Sequence, residues 1–447
     1  MNIRKTAAAL SAAALILAVA GCAASGSDGG EPQEISAAEV EEAMATPTKL
    51  TFWSSLGTLQ SNIDMFEAKY PAIDVELVNP GSGTEYYTKL TAALQSGTDV
   101  PDVVQLHGRM LSTYVASGDL VDLRQYGAGE LESDFTPYAW QSVTAGDGVY
   151  AIPQDGGPMA LLYRSDLYEQ AGVEPAATYE DFARNAETIK ASTGAYIANL
   201  PSNEPYSLTG LLLQAGVTPF DYDGEETVTI NVNDPRAKEV MSYWSDLIAE
   251  DLVSTDAWST DTWYQGMSQG RYASWLTAAW GPVFLTGTAE NTAGLWRAAA
   301  LPQWQAGDNA SGLWGGSVHA VTKDSDHQIA AAEFVKFLND DPESVRELNE
   351  SSFLFPTQLS LLEDPAFQSE GSEFYGGQEV NQLFVEASEM VTTEFRWLPF
   401  MLYVTQSYVE TVGKAIDSRG DMPGALDDWQ AAIVDYAKAQ GFTVVEP

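Results

Sequence analysis

The chain of 447 residues has one cysteine, Cys22, and three histidines, His107, His319 and His327. A single thiol excludes an intramolecular disulfide and a cysteine-based zinc site of the usual kind. His319 and His327 lie eight positions apart, which does not place two ligands on one helix face. Neither a metal nor a cofactor is expected. Basic residues are also scarce, with 21 Lys and Arg against 63 Asp and Glu, for a formal net charge of −42. Such a surface repels nucleic acid and anionic lipid headgroups and weighs against polyanionic or phosphorylated ligands. Solubility is the plain explanation for the acidity itself. No G-x-x-x-x-G-K-[ST] phosphate loop occurs, and no G-x-S-x-G elbow follows a strand. No short-period repeat is found.

What is present begins at the amino terminus. Arg4 and Lys5 precede an apolar run from Ala7 to Ala20, too short for a comfortable bilayer span and patterned as a signal peptide over residues 1–21. It ends in Val19-Ala20-Gly21-Cys22, which resembles a bacterial lipobox. That resemblance implies cleavage before Cys22, a lipid on its sulfur, and a place on the outer face of the bacterial cell membrane. Two acyl chains hold a soluble domain at a bilayer far longer than one does. Residues 22–46 are expected as a tether: the stretch after Cys22 is rich in Gly, Ser and acid, with a short acidic helix over 35–45.

The remainder exceeds what one core usually supports, so two lobes are expected. Leu50-Thr51-Phe52-Trp53 reads as a strand. Leu59, Ile63, Phe66 and Tyr70 then recur at helical spacing before Pro71. A strand over 74–78, a helix closed by Gly97 and a strand over 103–106 follow. This alternation predicts an α/β fold with a mostly parallel sheet, whose ligands bind beyond the strand carboxyl ends. Ser54, Ser55 and His107 lie just there. Tyr150–Pro153 reads as a strand entering a glycine-rich turn, 155–158, with a second short strand over 161–163. Helices are expected near 178–191, 204–215, 235–250, 328–338, 400–416 and 422–439, and strands over 271–279, 298–301 and 317–322.

Several segments, in this order and spacing, resemble the extracellular solute-binding protein family 1, the sugar-binding proteins of ABC importers that include maltose-binding protein. They are Leu50–Ser54, Phe66–Pro71, Pro101–Val104, Gly118–Leu123, Tyr150–Pro153, Leu162–Leu167, Trp314–Gly316 and Ala331–Leu338. The resemblance implies a type II two-lobe periplasmic-binding-protein fold. By analogy the chain crosses between lobes near Pro153, Trp280 and Gly312, giving an N-terminal lobe of 47–154 and 283–312 and a C-terminal lobe of 155–282 and 313–447. It also implies a monomeric, non-enzymatic protein that grips a sugar by lobe closure and delivers it to membrane permease subunits. Its membrane contact is then through the lipid anchor only.

A neutral sugar needs flat aromatic platforms and short polar groups in a cleft. The 12 Trp and 20 Tyr are a generous supply. Trp263, Trp280, Trp314 and Trp397 sit beside turns or strand ends, and Trp280 and Trp314 fall at the implied crossings. Ser54, Ser55, His107, Arg109 and Asp155 are the polar candidates; a charged partner strengthens a bond to a hydroxyl. For each tryptophan the competing role is core packing, for Asp155 a turn cap, and for Arg109 a surface ion pair. The rival functions are an anchored glycoside hydrolase, for which 63 acids supply carboxylates in plenty, and an adhesin.

Overall fold

The protein is described here by a computed structural model that covers residues 34–447. The signal segment, Cys22 and the first part of the tether lie outside the described residues. Of the tether, Ala37–Ala45 is a helix whose first turn is locked by a reciprocal capping box between Ser36 and Glu39. No described helix is long and apolar enough to cross a membrane.

Two cores organise residues 34–447. The first grows from three parallel strands, β1 (Thr48–Trp53), β2 (Ile73–Val78) and β3 (Val103–His107). β1 alternates, with Leu50 and Phe52 pointing down. The crossover helix Gln60–Lys69 lays Ile63 and Phe66 onto that face. A second helix, Gly83–Ser96, stops at Gly97, whose left-handed backbone (φ 62°) closes it as the sequence predicts. The helix Gln328–Asp340 returns to this core and inserts Phe334 and Leu338. Around the second core lie β4 (Ile152–Arg164), β5 (Ser274–Ala278) and β6 (Trp296–Ala299), with the helices Tyr179–Thr193, Pro205–Gln214, Pro235–Ala249 and Met422–Ala439.

One sheet of seven strands runs through both cores. Its order is β5-β4-β7-β3-β1-β2, where β7 is Leu313–Val321 and β6 also pairs with β4. β4 and β7 are the shared members. Ile152 of β4 and Val318, Ala320 and Val321 of β7 pack in the first core. Met159 to Leu162 of β4 and Leu313 and Trp314 of β7 pack in the second.

This corrects two expectations. Residues 283–312 do not join the N-terminal lobe: Leu285, Ala289, Trp296, Ala298 and Leu301 belong to the second core. Nor does 313–447 belong wholly to the second, since β7 carries the chain back and the helix Gln328–Asp340 packs on the first. The crossings are therefore β4, β7 and a segment between Leu348 and Phe355, not Trp280. The reason is length: β4 spans 13 residues and reaches both cores without a turn. The glycine-rich turn expected at 155–158 is extended strand. A side chain at Gly156 would overlap the Tyr138 hydroxyl, and one at Gly157 would overlap the Trp314 carbonyl. These glycines permit close approach, not a reversal. Opposite them, Gly315 and Gly316 take positive φ, 93° and 111°, where the pairing of β7 with β4 shifts register.

Candidate functional site

The carboxyl ends of β1 and β3 meet β7 at a small cavity, and the first turn of the helix Pro205–Gln214 meets the helix Gly108–Ala116 through Arg109. On the first-core side, Gln105 of β3 is the organiser. Its Oε1 accepts from Ser54 Oγ (2.8 Å) and from both N and Oγ of Ser55 (3.2 Å each). Its Nε2 donates to Gln154 Oε1 at 2.7 Å. Gln154 Nε2 is buried with no partner among the described residues. His107 closes β3, and its backbone N–H donates to the Tyr87 hydroxyl at 3.0 Å. Burial, helped by the neighbouring Arg109 charge, pushes the imidazole down to about 3, so it is neutral at physiological pH. Ser55, Tyr87, Gln105, His107 and Ser317 line a cavity of about 90 Å³ there, closed by Leu354.

In the middle, Asp155 is 8% exposed and its Oδ1 accepts from Ser317 N at 2.7 Å. Burial outweighs that bond and raises its carboxyl to about 6.

On the second-core side, Arg109 reaches across. It enters from the first turn of the helix Gly108–Ala116, and its guanidinium lies 4.6 Å from the centre of the Tyr206 ring. Tyr206 is held by a 2.6 Å hydrogen bond between its hydroxyl and Thr405 Oγ1 and by the edge of Trp397, 5.5 Å away. Beside it Glu204 is buried and caps its helix by accepting from Ser207 N at 2.8 Å. Burial raises its carboxyl, while Arg109 pulls the other way. Trp280 is half-buried; its Nε1 donates to the Trp314 carbonyl at 2.9 Å and its ring meets Trp314 edge-on at 4.9 Å. Trp258, also half-buried, is clamped by Asn203, which accepts from its N–H (2.8 Å) and donates to its carbonyl (3.1 Å).

The structure thus places Ser55 and His107 on the cavity at the ends of β1 and β3, Arg109 against Tyr206, Asp155 against Ser317 and Trp280 against Trp314. Trp314 contributes its carbonyl from a ring 5% exposed, and Trp397 stands behind Tyr206. Two expectations are corrected. Trp263 is 1% exposed in the second core, packed edge-on against Trp275 at 5.3 Å, and has no surface to offer a ligand. Ser54 is fully buried and braces Gln105 instead. Glu204, Tyr206, Trp258 and Gln154 were not singled out from the sequence. Pro205 at the first helical position marks a helix start, and that signal pointed to Glu204 and Tyr206. Trp258 carries no local signal, because Asn203 finds it across 55 positions. Among the described residues, no group of three His, Cys, Asp or Glu side chains could hold a metal ion.

The model of the bacterial extracellular solute-binding protein family matches residues 53–343. An arabinooligosaccharide-binding protein of Halalkalibacterium halodurans is 23% identical over 364 residues, 77% of this chain and 80% of that one. A lactose-binding protein of Rhizobium radiobacter is 25% identical, over 76% of this chain and 81% of its own. Among solved structures, an ABC-transporter-associated binding protein of B. animalis subsp. lactis in complex with β-1,6-galactobiose is 30% identical. Its TM-score is 0.77, with 89% of this chain and 99% of that one covered. The galacto-N-biose/lacto-N-biose I-binding protein of Bifidobacterium longum is 25% identical with a TM-score of 0.76, over 89% and 98%.

Proposed function

The chain belongs to the bacterial extracellular solute-binding protein family, and we propose that it captures a neutral oligosaccharide and delivers it to the permease of an ABC importer. One observation carries the reading. Arg109 of the first core meets Tyr206 of the second, with the amide and hydroxyl groups of Gln105 and Ser55 on the first-core side and the Trp280 indole on the second. A hydroxylated ring fits that lining. Its C–H faces stack on aromatic planes and its hydroxyls bond Ser55, Gln154, Asp155 and neutral His107. The sugar-binding relatives and neighbours named above support the same ligand class.

The mechanism is closure about β4 and β7. A ligand that touches both sides favours the closed form by its differential contacts. The shifted pairing at Gly156 and Gly315–Gly316 offers strand segments able to absorb the rotation. The first lobe then comprises the core around β1–β3 with the second half of β7 and the helix Gln328–Asp340. The second lobe takes the elements of the other core, from the second half of β4 to the first half of β7 and again from Phe355 onward. The lipobox-like run ending at Cys22 supports a lipid anchor outside the cell membrane; the protein acts as a monomer and makes no covalent change to the sugar.

Titration calorimetry with di- and oligosaccharides, followed by mass spectrometry of the recovered sugar, tests this. Saturable binding with the sugar returned intact is expected. Cleaved product would replace the reading with that of a glycoside hydrolase.

A further inference from the structure

We propose that Phe353 forms the floor of an outer subsite, which takes the distal residues of a saccharide chain whose near end lies in the cleft. The inference rests on the carbohydrate reading above and adds chain length to it.

Phe353 is 58% exposed, the highest value among the large apolar side chains of the described residues. It also sits where a phenylalanine is out of place. It terminates the helix Pro342–Ser352 with a left-handed backbone, φ 54°. Among the described α-helices, four others end in that conformation on a glycine, at Gly97, Gly172, Gly194 and Gly270, and one on Arg419, whose charged end is free to reach solvent and pairs with Asp251. A bulky residue held there is strained, and here the strain is joined to loss of burial. Neither backbone nor core explains the ring, so the reason lies in what it presents to solvent.

It presents one wall of a cavity of about 520 Å³. The polar lining, Asn349, Glu350, Glu370, Ser372 and Asn381, offers carboxylate and amide groups; Phe353 supplies the flat face. Hydroxyls bond carboxylates strongly, whereas the two glutamates repel an anionic ligand, so the chemistry is that of a neutral sugar. Position supports the same conclusion. Residues 353–355 are the third crossing: Leu354 lines the small cavity at the ends of β1 and β3, and Phe353 and Phe355 line the large one. Pro282 and Val283, two and three positions after Trp280, also line it. A chain that extends from the small cavity along this crossing therefore meets Phe353.

The test compares wild type with Phe353→Gly by calorimetry, using β-1,6-linked galactose chains and arabinose chains of two, three and four residues. Glycine removes the ring and relieves the backbone, so the melting temperature is expected to hold or rise. Wild type is expected to bind the longer members more tightly than the disaccharide. In the variant, the longer chains lose roughly five- to tenfold, the range of one aromatic stacking contact. The disaccharide, which the cleft alone accommodates, changes less than twofold. Equal chain-length dependence in the two proteins, or none in wild type, overturns the subsite and leaves the carbohydrate reading intact. Wild type that binds neither series overturns both.

Discussion

At the residue scale, the side chains that matter are those whose surroundings oppose them. Asp155 is the clearest. Its carboxyl titrates near 6 in the folded chain, against 3.8 for the free group. Between those values the folded state holds a proton that the unfolded state has released, so stability falls as pH rises from about 4 to 6 and is level above. The difference corresponds to about 3 kcal/mol. Asn at this position still accepts from Ser317 N and carries no charge. Asp155→Asn is therefore expected to be more stable than wild type at pH 7, by about 1–3 kcal/mol, and equal to it near pH 4. Urea midpoints at the two pH values check this, and an unchanged difference between them would contradict it. Keeping a destabilising acid at the border of two cores is intelligible if it meets ligand hydroxyls. Trp263 is the opposite case: Trp263→Ala is expected to lose about 3–5 kcal/mol of stability through its cavity while sparing affinity in the protein that remains folded. The sequence shows both as residues near a strand or turn. It could not tell them apart, because a tryptophan's role depends on which face of a distant helix covers it.

At the scale of elements, β4 and β7 are the informative pair. Local patterning located the strands at 150–153, 161–163 and 317–322, since apolar runs bounded by glycine and proline are legible. It broke β4 in two, because Gly156-Gly157-Pro158 is the chemistry of a turn. What keeps the strand straight is Trp314, 157 positions further on, whose carbonyl occupies the space a side chain at Gly157 would need. Gly157→Ala is accordingly expected to separate β4 from β7, lowering both the melting temperature and ligand affinity. Gly57→Ala, with nothing within 4 Å of the added carbon, is expected to leave both within error. Calorimetry and thermal unfolding of the two variants make the comparison, and a benign Gly157→Ala would remove β4 from the account of the hinge. The helix Pro205–Gln214 teaches the same lesson. Its start is written in Glu204-Pro205, but Tyr206 becomes a site residue only because the helix Gly108–Ala116 aims Arg109 at it.

For the molecule as a whole, Arg109 and Tyr206 make a charged contact that joins the two sides without ligand. A cation–π contact of this kind contributes about 0.5–2 kcal/mol, enough to shift an open–closed balance by severalfold. Arg109→Ala is expected to raise the radius of gyration of the unliganded protein in small-angle scattering, and saturating sugar to restore it. No change would place Arg109 outside the closure. Ligand at a hundred times its dissociation constant is expected to stabilise the protein by about 2.7 kcal/mol, read as an upward shift in melting temperature.

The sequence by itself determined the class of the fold, the scarcity of cysteine and of basic residues, and most helices and strands. These follow from composition and from periodicities that neighbouring residues impose on one another. Only the tertiary structure decided which strands span both cores, that 283–312 packs in the second, and which aromatic rings are sealed and which face the cleft. Those outcomes depend on contacts between positions tens to hundreds of residues apart. Such contacts are set by the packing of whole elements, and no local pattern in the chain encodes them.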